Sequence, residues 1–257
     1  MNILQYILIF NLIGSIISLI GGALLLLNKN FAGKVAHLLS SFAAGALLGT
    51  VFFDLIPESL DSSGNAEQVF LFTLGGILFF FLVERFLHWF HHHEYNESEI
   101  TGKPIIPLIA VGDTIHNFVD GMAIAATFLV SIPLGIVTSI AVGAHEIPQE
   151  IGDFGVMIKK GLSRKKTLTI NICSALASFV GALLVYYFGQ SIEGLSTALI
   201  SVTAGFFLYV ALSDLIPEIH HENKKGLAIW ETFYLLLGVG SIYAALYIIE
   251  NVFHITP

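Results

Sequence analysis

Asp54-Leu55-Ile56-Pro57-Glu58 returns unchanged 160 residues later as Asp214-Leu215-Ile216-Pro217-Glu218. The match extends upstream, where Ala44-Gly45 and Leu48 correspond to Ala204-Gly205 and Leu208. Each copy lies in an apolar run long enough to cross a bilayer, because about 20 helical residues at ~1.5 Å each span ~30 Å of hydrocarbon. The number of such runs between the copies decides how they are oriented.

The chain reads as eight spans, 3–27, 35–57, 67–90, 105–130, 133–158, 167–189, 195–218 and 229–251. With 55% hydrophobic and only 12% charged residues, residues 1–257 form a single all-α integral membrane domain. All 11 basic residues then fall in or flank four connections: Lys29 and Lys34; Arg85 and Lys103; Lys159, Lys160, Arg164, Lys165 and Lys166; Lys224 and Lys225. Basic connections stay cytoplasmic, so both termini are expected outside. Met1 to Leu27 lacks a basic leader and a small-residue cleavage site, and reads as a retained span. With no room for an added ectodomain, a plasma (inner) membrane is the expected location. Glu58, Asp61, Glu67 and Glu193 lie on the outer side. They attract cations modestly, or simply reflect the absence of Lys and Arg that orientation demands; both readings stand. Cys173, the single cysteine, reads as an apolar filler in span 6.

The repeated segments occupy spans 2 and 7. An odd separation makes them run in opposite directions, so spans 1–3 and 6–8 form an inverted pair around spans 4 and 5. Inverted repeats place substrate near the midplane of many secondary transporters. Duplication alone leaves unexplained what lies between the copies.

Span 4 carries Asp113, His116, Asn117 and Asp120; span 5 carries His145, Glu146, Gln149, Glu150 and Asp153. At 3.6 residues per turn the first set falls within roughly 100° of arc and the second within roughly 140°, giving each helix one polar stripe. The connection at Ser131-Ile132 permits only an antiparallel hairpin, and counting outward from it sets His116 level with Ile147. At ~1.5 Å per residue that level is about 23 Å from the turn, within the bilayer. Carboxylates left charged and unpaired there would cost on the order of 10 kcal/mol in total. No Lys or Arg is available inside spans 4 and 5. The acids must be protonated, wetted or bound to a cation, and neighbouring imidazoles favour a transition metal. Pro148 removes a helix hydrogen bond and frees the carbonyl of Ala144; Pro57 and Pro217 do the same for Phe53 and Ser213, or simply kink their helices. Gly121 and Ala125 have the spacing of close helix packing.

These residues carry a family resemblance. HNFVDG (His116 to Gly121), HEIPQEIGDF (His145 to Phe154) and AGFFLYVALSDLIPE (Ala204 to Glu218), with Lys160-Gly161-Leu162-Ser163, Asn171 and Ser174-Ala175, resemble the ZIP metal transporters, in the branch with a HEIPHELGDF-like fifth span. The resemblance implies a 3+2+3 helix bundle, usually dimeric, that moves Zn²⁺ and sometimes Fe²⁺, Mn²⁺ or Cd²⁺ into the cytoplasm by an elevator-like motion. It implies an ion held among His116, Asp120, His145 and Gln149, with Asn117, Glu146 and Glu150 as alternative or accessory ligands. The departures are Gln149 in place of a histidine, Thr50 and Asp54 in place of an acid and a histidine, and no bridging glutamate in span 6. One principal ion is therefore expected. Asp54, Asp113, Asp153 and Asp214 are assigned to the transport pathway.

The metal ion is expected as transported substrate, not as a resident cofactor, and the lipid bilayer and a second copy of the chain are the other expected partners, with no nucleic acid. His88, His91, His92, His93, His220 and His221 cluster on the cytoplasmic side, where they either hold released metal or serve as solvated helix ends; residues 91–104 form the corresponding loop. Enzymatic activity is not expected. An intramembrane zinc metalloprotease needs HExxH, and here position 149 is glutamine. A membrane metal sensor would bind without translocating. No phosphate-cradling loop is present for ATP-driven pumping.

Overall fold

The computed structural model describes residues 1–27, 29–94, 105–189, 194–221 and 227–251, and no strand occurs among them. The helices are α1 Ile3–Leu27, α2 Lys29–Thr50, α3 Ile56–Ser63, α4 Ala66–Glu94, α5 Ile105–Val130, α6 Ile132–Lys159, α7 Arg164–Phe188, α8 Leu195–Tyr209, α9 Ile216–His221 and α10 Leu227–Asn251. Two π-helical turns, Val51–Leu55 and Val210–Leu215, join α2 to α3 and α8 to α9 into continuous rods.

Among the described residues, six stretches are long and apolar enough to cross a membrane: Ile3–Gly22, Val35–Ser63, Ala66–Phe86, Arg164–Phe188, Leu195–His220 and Ala228–Ile249. The 26-residue α5 and the 28-residue α6 equal them in length. They lose apolarity to the acids and histidines read above as stripes. Large apolar side chains such as Ile16, Leu82, Leu176, Val180 and Leu236 are exposed, as befits a surface that meets lipid tails, not water.

Local sequence explains the ends. Ser131 is the only residue between α5 and α6; it is extended, and its hydroxyl accepts from Leu134 N–H while Pro133 sits in the first turn. Ser163 caps α7 by accepting from Lys166 N–H. Gly161, with φ of 92°, turns the chain after α6 in a conformation other residues resist. The kinks expected at Pro57 and Pro217 take a definite form. Just ahead of each proline the ladder slips by one residue, so Ile56 N–H bonds Val51 O and Ile216 N–H bonds Ala211 O. A proline that cannot donate makes such a slip cheap, and a wide turn accommodates it.

α5 packs along α7, α1 along α6, α2 along α10 and α4 along α8, with α2 and α5 both against α6. Small residues set these distances. A Cβ on Gly121 would collide with the Ser178 carbonyl, and one on Gly181 with the Phe118 carbonyl, so α5 and α7 touch backbone to backbone. The repeated glycines behave alike: Gly45 lies against the Leu235 carbonyl of α10, and Gly205 against the Thr73 carbonyl of α4. Leu47, Leu55, Phe128, Leu134, Ile200, Phe206 and Phe207 fill the core around α5 and α6.

Candidate metal centre

The α5–α6 hairpin brings four side chains to one point. His116 Nε2 lies 3.1 Å from His145 Nε2, 3.6 Å from Asp120 Oδ2 and 3.6 Å from Glu146 Oε1. His145 Nε2 lies 3.3 Å from Asp120 Oδ2 and 4.0 Å from Glu146 Oε1. One ligand atom from each residue falls within 4.8 Å of all the others. Zinc bound tetrahedrally at ~2.0–2.1 Å separates its ligand atoms by about 3.4 Å, so only small adjustments would seat an ion here.

The surroundings favour a cation. His145, Asp120 and Glu146 are buried, and both Asp120 oxygens and Glu146 Oε1 lack hydrogen-bond donors. Among the described residues, no lysine or arginine pairs with them. Buried acceptors without donors are costly, and a metal ion removes that cost. His145 Nδ1 is 3.1 Å from the carbonyl of Ala141. A carbonyl only accepts, so Nδ1 carries the proton and Nε2 presents its lone pair to the centre, the usual brace of a ligating histidine. Phe206 meets the His116 ring edge-on at 5.3 Å between centroids, and Phe207 meets His145 at 6.2 Å.

His116 also faces a cavity of ≈ 440 Å³ whose wall includes Gly112, Asp113, Gln149, Asp153, Tyr209 and Asp214. The cavity extends from His116 toward the helix ends that carry Glu84, Asp153 and Glu218, on the side of Arg85 and Lys159.

Of the residues expected to hold the ion, His116, Asp120, His145 and Glu146 converge. The other three do not join that group. Asn117 Nδ2 donates to Asp113 Oδ1 at 2.8 Å and to the Asp113 carbonyl at 3.1 Å. Gln149 faces Asp113 and the cavity. Glu150 is buried with neither carboxylate oxygen bonded. Register explains the split. In an antiparallel hairpin that sets 116 against 147, residues 145 and 146 fall between His116 and Asp120, whereas 149 and 150 fall one turn lower, opposite Asp113.

Asp113, Asp153 and Asp214 line the cavity; Asp54 is half-buried in the π turn Val51–Leu55, away from that wall. His91, His92 and His93 belong to the last turn of α4, and residues 95–104 lie outside the described residues. The side chains of His88, His91, His92, His93 and His221 are likewise outside them, and His220 is exposed. Sequence reasoning quoted Ser174 and the stretch containing Tyr209 only for the family resemblance and gave neither a site role; the Ser174 hydroxyl bonds Asp113 Oδ2, and the Tyr209 hydroxyl bonds Glu84 Oε2 beside the cavity. Each bond joins helices distant in sequence, which is why spacing along one helix did not reveal it.

Comparison with known proteins gives a consistent answer. The family described as ZIP Zinc transporter matches residues 3–105 and 103–245. Zinc transporter ZIP6 of Pongo abelii is 37% identical over 160 residues, 58% of this chain and 22% of the relative. Zinc transporter ZIP13 of Pongo abelii is 31% identical over 215 residues, covering 78% of this chain and 64% of the relative. Zinc transporter ZIP4 of Mus musculus is 30% identical over 284 residues, covering 82% and 43%. The matched region is thus about a fifth of ZIP6 in length and under two thirds of ZIP13.

Proposed function

The chain belongs to the ZIP zinc transporter family, and from that premise we propose that it carries a divalent transition-metal ion, most readily Zn²⁺, into the cytoplasm through the α5–α6 centre. The observation that carries this reading is the convergence of two imidazole nitrogens and two carboxylate oxygens, all within 4.8 Å, at the head of a cavity. Fe²⁺, Mn²⁺ and Cd²⁺ are the competing substrates. Two imidazoles with two hard oxygens form a borderline donor set that accepts each of them.

In this mechanism a hydrated ion enters from the outer face and exchanges water for His116, Asp120, His145 and Glu146. In the metal-free pair, His145 presents a lone pair, so His116 Nε2–H donates across the 3.1 Å gap. As the ion takes the Nε2 lone pair, that proton moves to Nδ1, so His116 ligates as a neutral imidazole. A shift in helix packing then closes the outer route, and the ion leaves toward the cytoplasm along the cavity lined by Asp113, Gln149, Asp153 and Asp214. The ligands are loose enough for release because none belongs to a closed thiolate cage.

The proposed scaffold is the eight-span bundle in 3+2+3 order, with both termini outside, working as a homodimer in a plasma membrane with an elevator-like motion of one helix group. Pairing of α2 with α10 and α4 with α8, and of α1 with α6 and α7 with α5, supports an inverted repeat, because each pairing in the first half has its counterpart in the second. The matching π turns ahead of Pro57 and Pro217 add to that support.

Zinc flux into proteoliposomes tests the reading. Wild-type protein should load vesicles with Zn²⁺, and His116→Ala protein that inserts normally should not. Binding without flux would make the chain a metal sensor instead.

A further inference from the structure

The two histidines of the centre are held by different means. His145 is tethered through Nδ1 to the Ala141 carbonyl. His116 has no such tether: among the described residues, its hydrogen bonding is confined to Nε2, which faces His145. A ligating imidazole free to turn about χ2 points its lone pair at the ion only part of the time, and outer contacts that fix the ring usually raise affinity 10- to 100-fold. The contact that His116 does have is with an aromatic ring. Phe206 is 1% exposed and stands edge-on to His116, with ring planes at 67° and centroids 5.3 Å apart. Behind it, Phe80 of α4 packs against Phe206 at 4.1 Å and 32°. Phe80 is itself buried, and all three rings line the same cavity.

We propose that Phe206, braced by Phe80, is a positioning residue that fixes the His116 imidazole with Nε2 aimed at the centre, and thereby sets the metal affinity of the site. The proposal rests on the reading of His116 as a ligand. A rigid ring in van der Waals contact restricts χ2 as a hydrogen bond does, without adding a polar group that must itself be satisfied. It also gives the site a distinctive dependence on packing. The brace comes from α4 and α8, whereas the ligands stand on α5 and α6, so any motion of one helix pair against the other loosens His116 while His145 keeps its tether.

Zn²⁺ binding to purified full-length protein in detergent, measured by competition with a chelating dye, tests this through a double-mutant cycle. Phe206→Leu should raise Kd on the order of tenfold. Phe80→Leu should raise it by a smaller factor, since that ring touches Phe206 and not the ligand. In a His116→Ala background, Phe206→Leu should change the residual Kd by less than about twofold, because its effect passes through the imidazole. Loss of affinity of equal size in both backgrounds would mean a general packing defect and would overturn the proposal, as would an unchanged Kd for both single phenylalanine variants. Should Phe206→Leu fail to fold, Phe80→Leu in the two backgrounds decides by the same comparison. An unchanged Kd for His116→Ala itself would instead remove His116 from the site, a failure of the underlying reading that this cycle separates from failure of the brace.

Discussion

Asp120 illustrates how a single residue can oppose stability and serve binding. Its carboxylate is buried, neither oxygen receives a hydrogen bond, and Glu146 shares the centre. Replacing it by asparagine removes a charge that the metal-free fold must desolvate, and removes a ligand. Asp120→Asn should therefore raise the thermal midpoint of the metal-free protein while weakening zinc binding at least tenfold, as removal of a support for ligation does elsewhere. Differential scanning with and without Zn²⁺ checks both halves; a lowered metal-free midpoint would contradict the account of an uncompensated acid. Gln149 gives the complementary test. Because it faces Asp113 and the cavity and stands apart from the four converging atoms, Gln149→Ala should slow flux severalfold while leaving equilibrium Zn²⁺ affinity within about twofold. A large loss of affinity would restore Gln149 to the ion's first coordination sphere.

At the scale of the element, α5 is held against α7 by what their glycines permit. Gly121 lies against the Ser178 carbonyl and Gly181 against the Phe118 carbonyl. Gly181→Val would force the backbones apart by more than a side chain can yield, and such overpacking costs about 1–3 kcal/mol. The variant should unfold at lower temperature and lose zinc binding as His116 is displaced; unchanged stability would show that α5 and α7 do not meet as described. Much of the α5–α6 hairpin was legible beforehand. Ser131 alone between two apolar runs forced antiparallel helices, and the 3.6-residue period put His116, Asp120, His145 and Glu146 on facing stripes. What the period could not supply was the level within the stripe: the hairpin register puts 145 and 146 between His116 and Asp120 and 149 and 150 a turn lower, opposite Asp113, and only the folded hairpin shows that the centre forms at the first of these levels. The π turns were similarly half-visible. Pro57 and Pro217 announced an interruption, but proline admits a kink or a wide turn, and the surrounding packing chooses. Phe206 read as part of an apolar span, and only its contact with His116 gives it a role.

For the whole molecule, the chain places the four converging acids and imidazoles on two helices and surrounds them with apolar rods whose outer faces meet lipid. The sequence-derived count of eight spans rests on α5 and α6 crossing as well, although their polar stripes keep them from qualifying by apolarity alone. Binding at the centre requires deprotonated ligands, so protonation competes with the ion. Uptake should fall as pH drops from neutral into the acid range, and stopped-flow measurement with a pH indicator should record proton release on zinc binding. Uptake that stayed constant into strong acid would exclude imidazole and carboxylate ligation of the transported ion.

The most direct test is anomalous diffraction at the zinc edge from crystals of the full chain grown with Zn²⁺. The account predicts a peak about 2.0–2.2 Å from His116 Nε2, His145 Nε2 and oxygens of Asp120 and Glu146. A zinc peak at Asp113 and Glu150 with that four-residue centre empty, or one bound only at the cytoplasmic histidines, would contradict it.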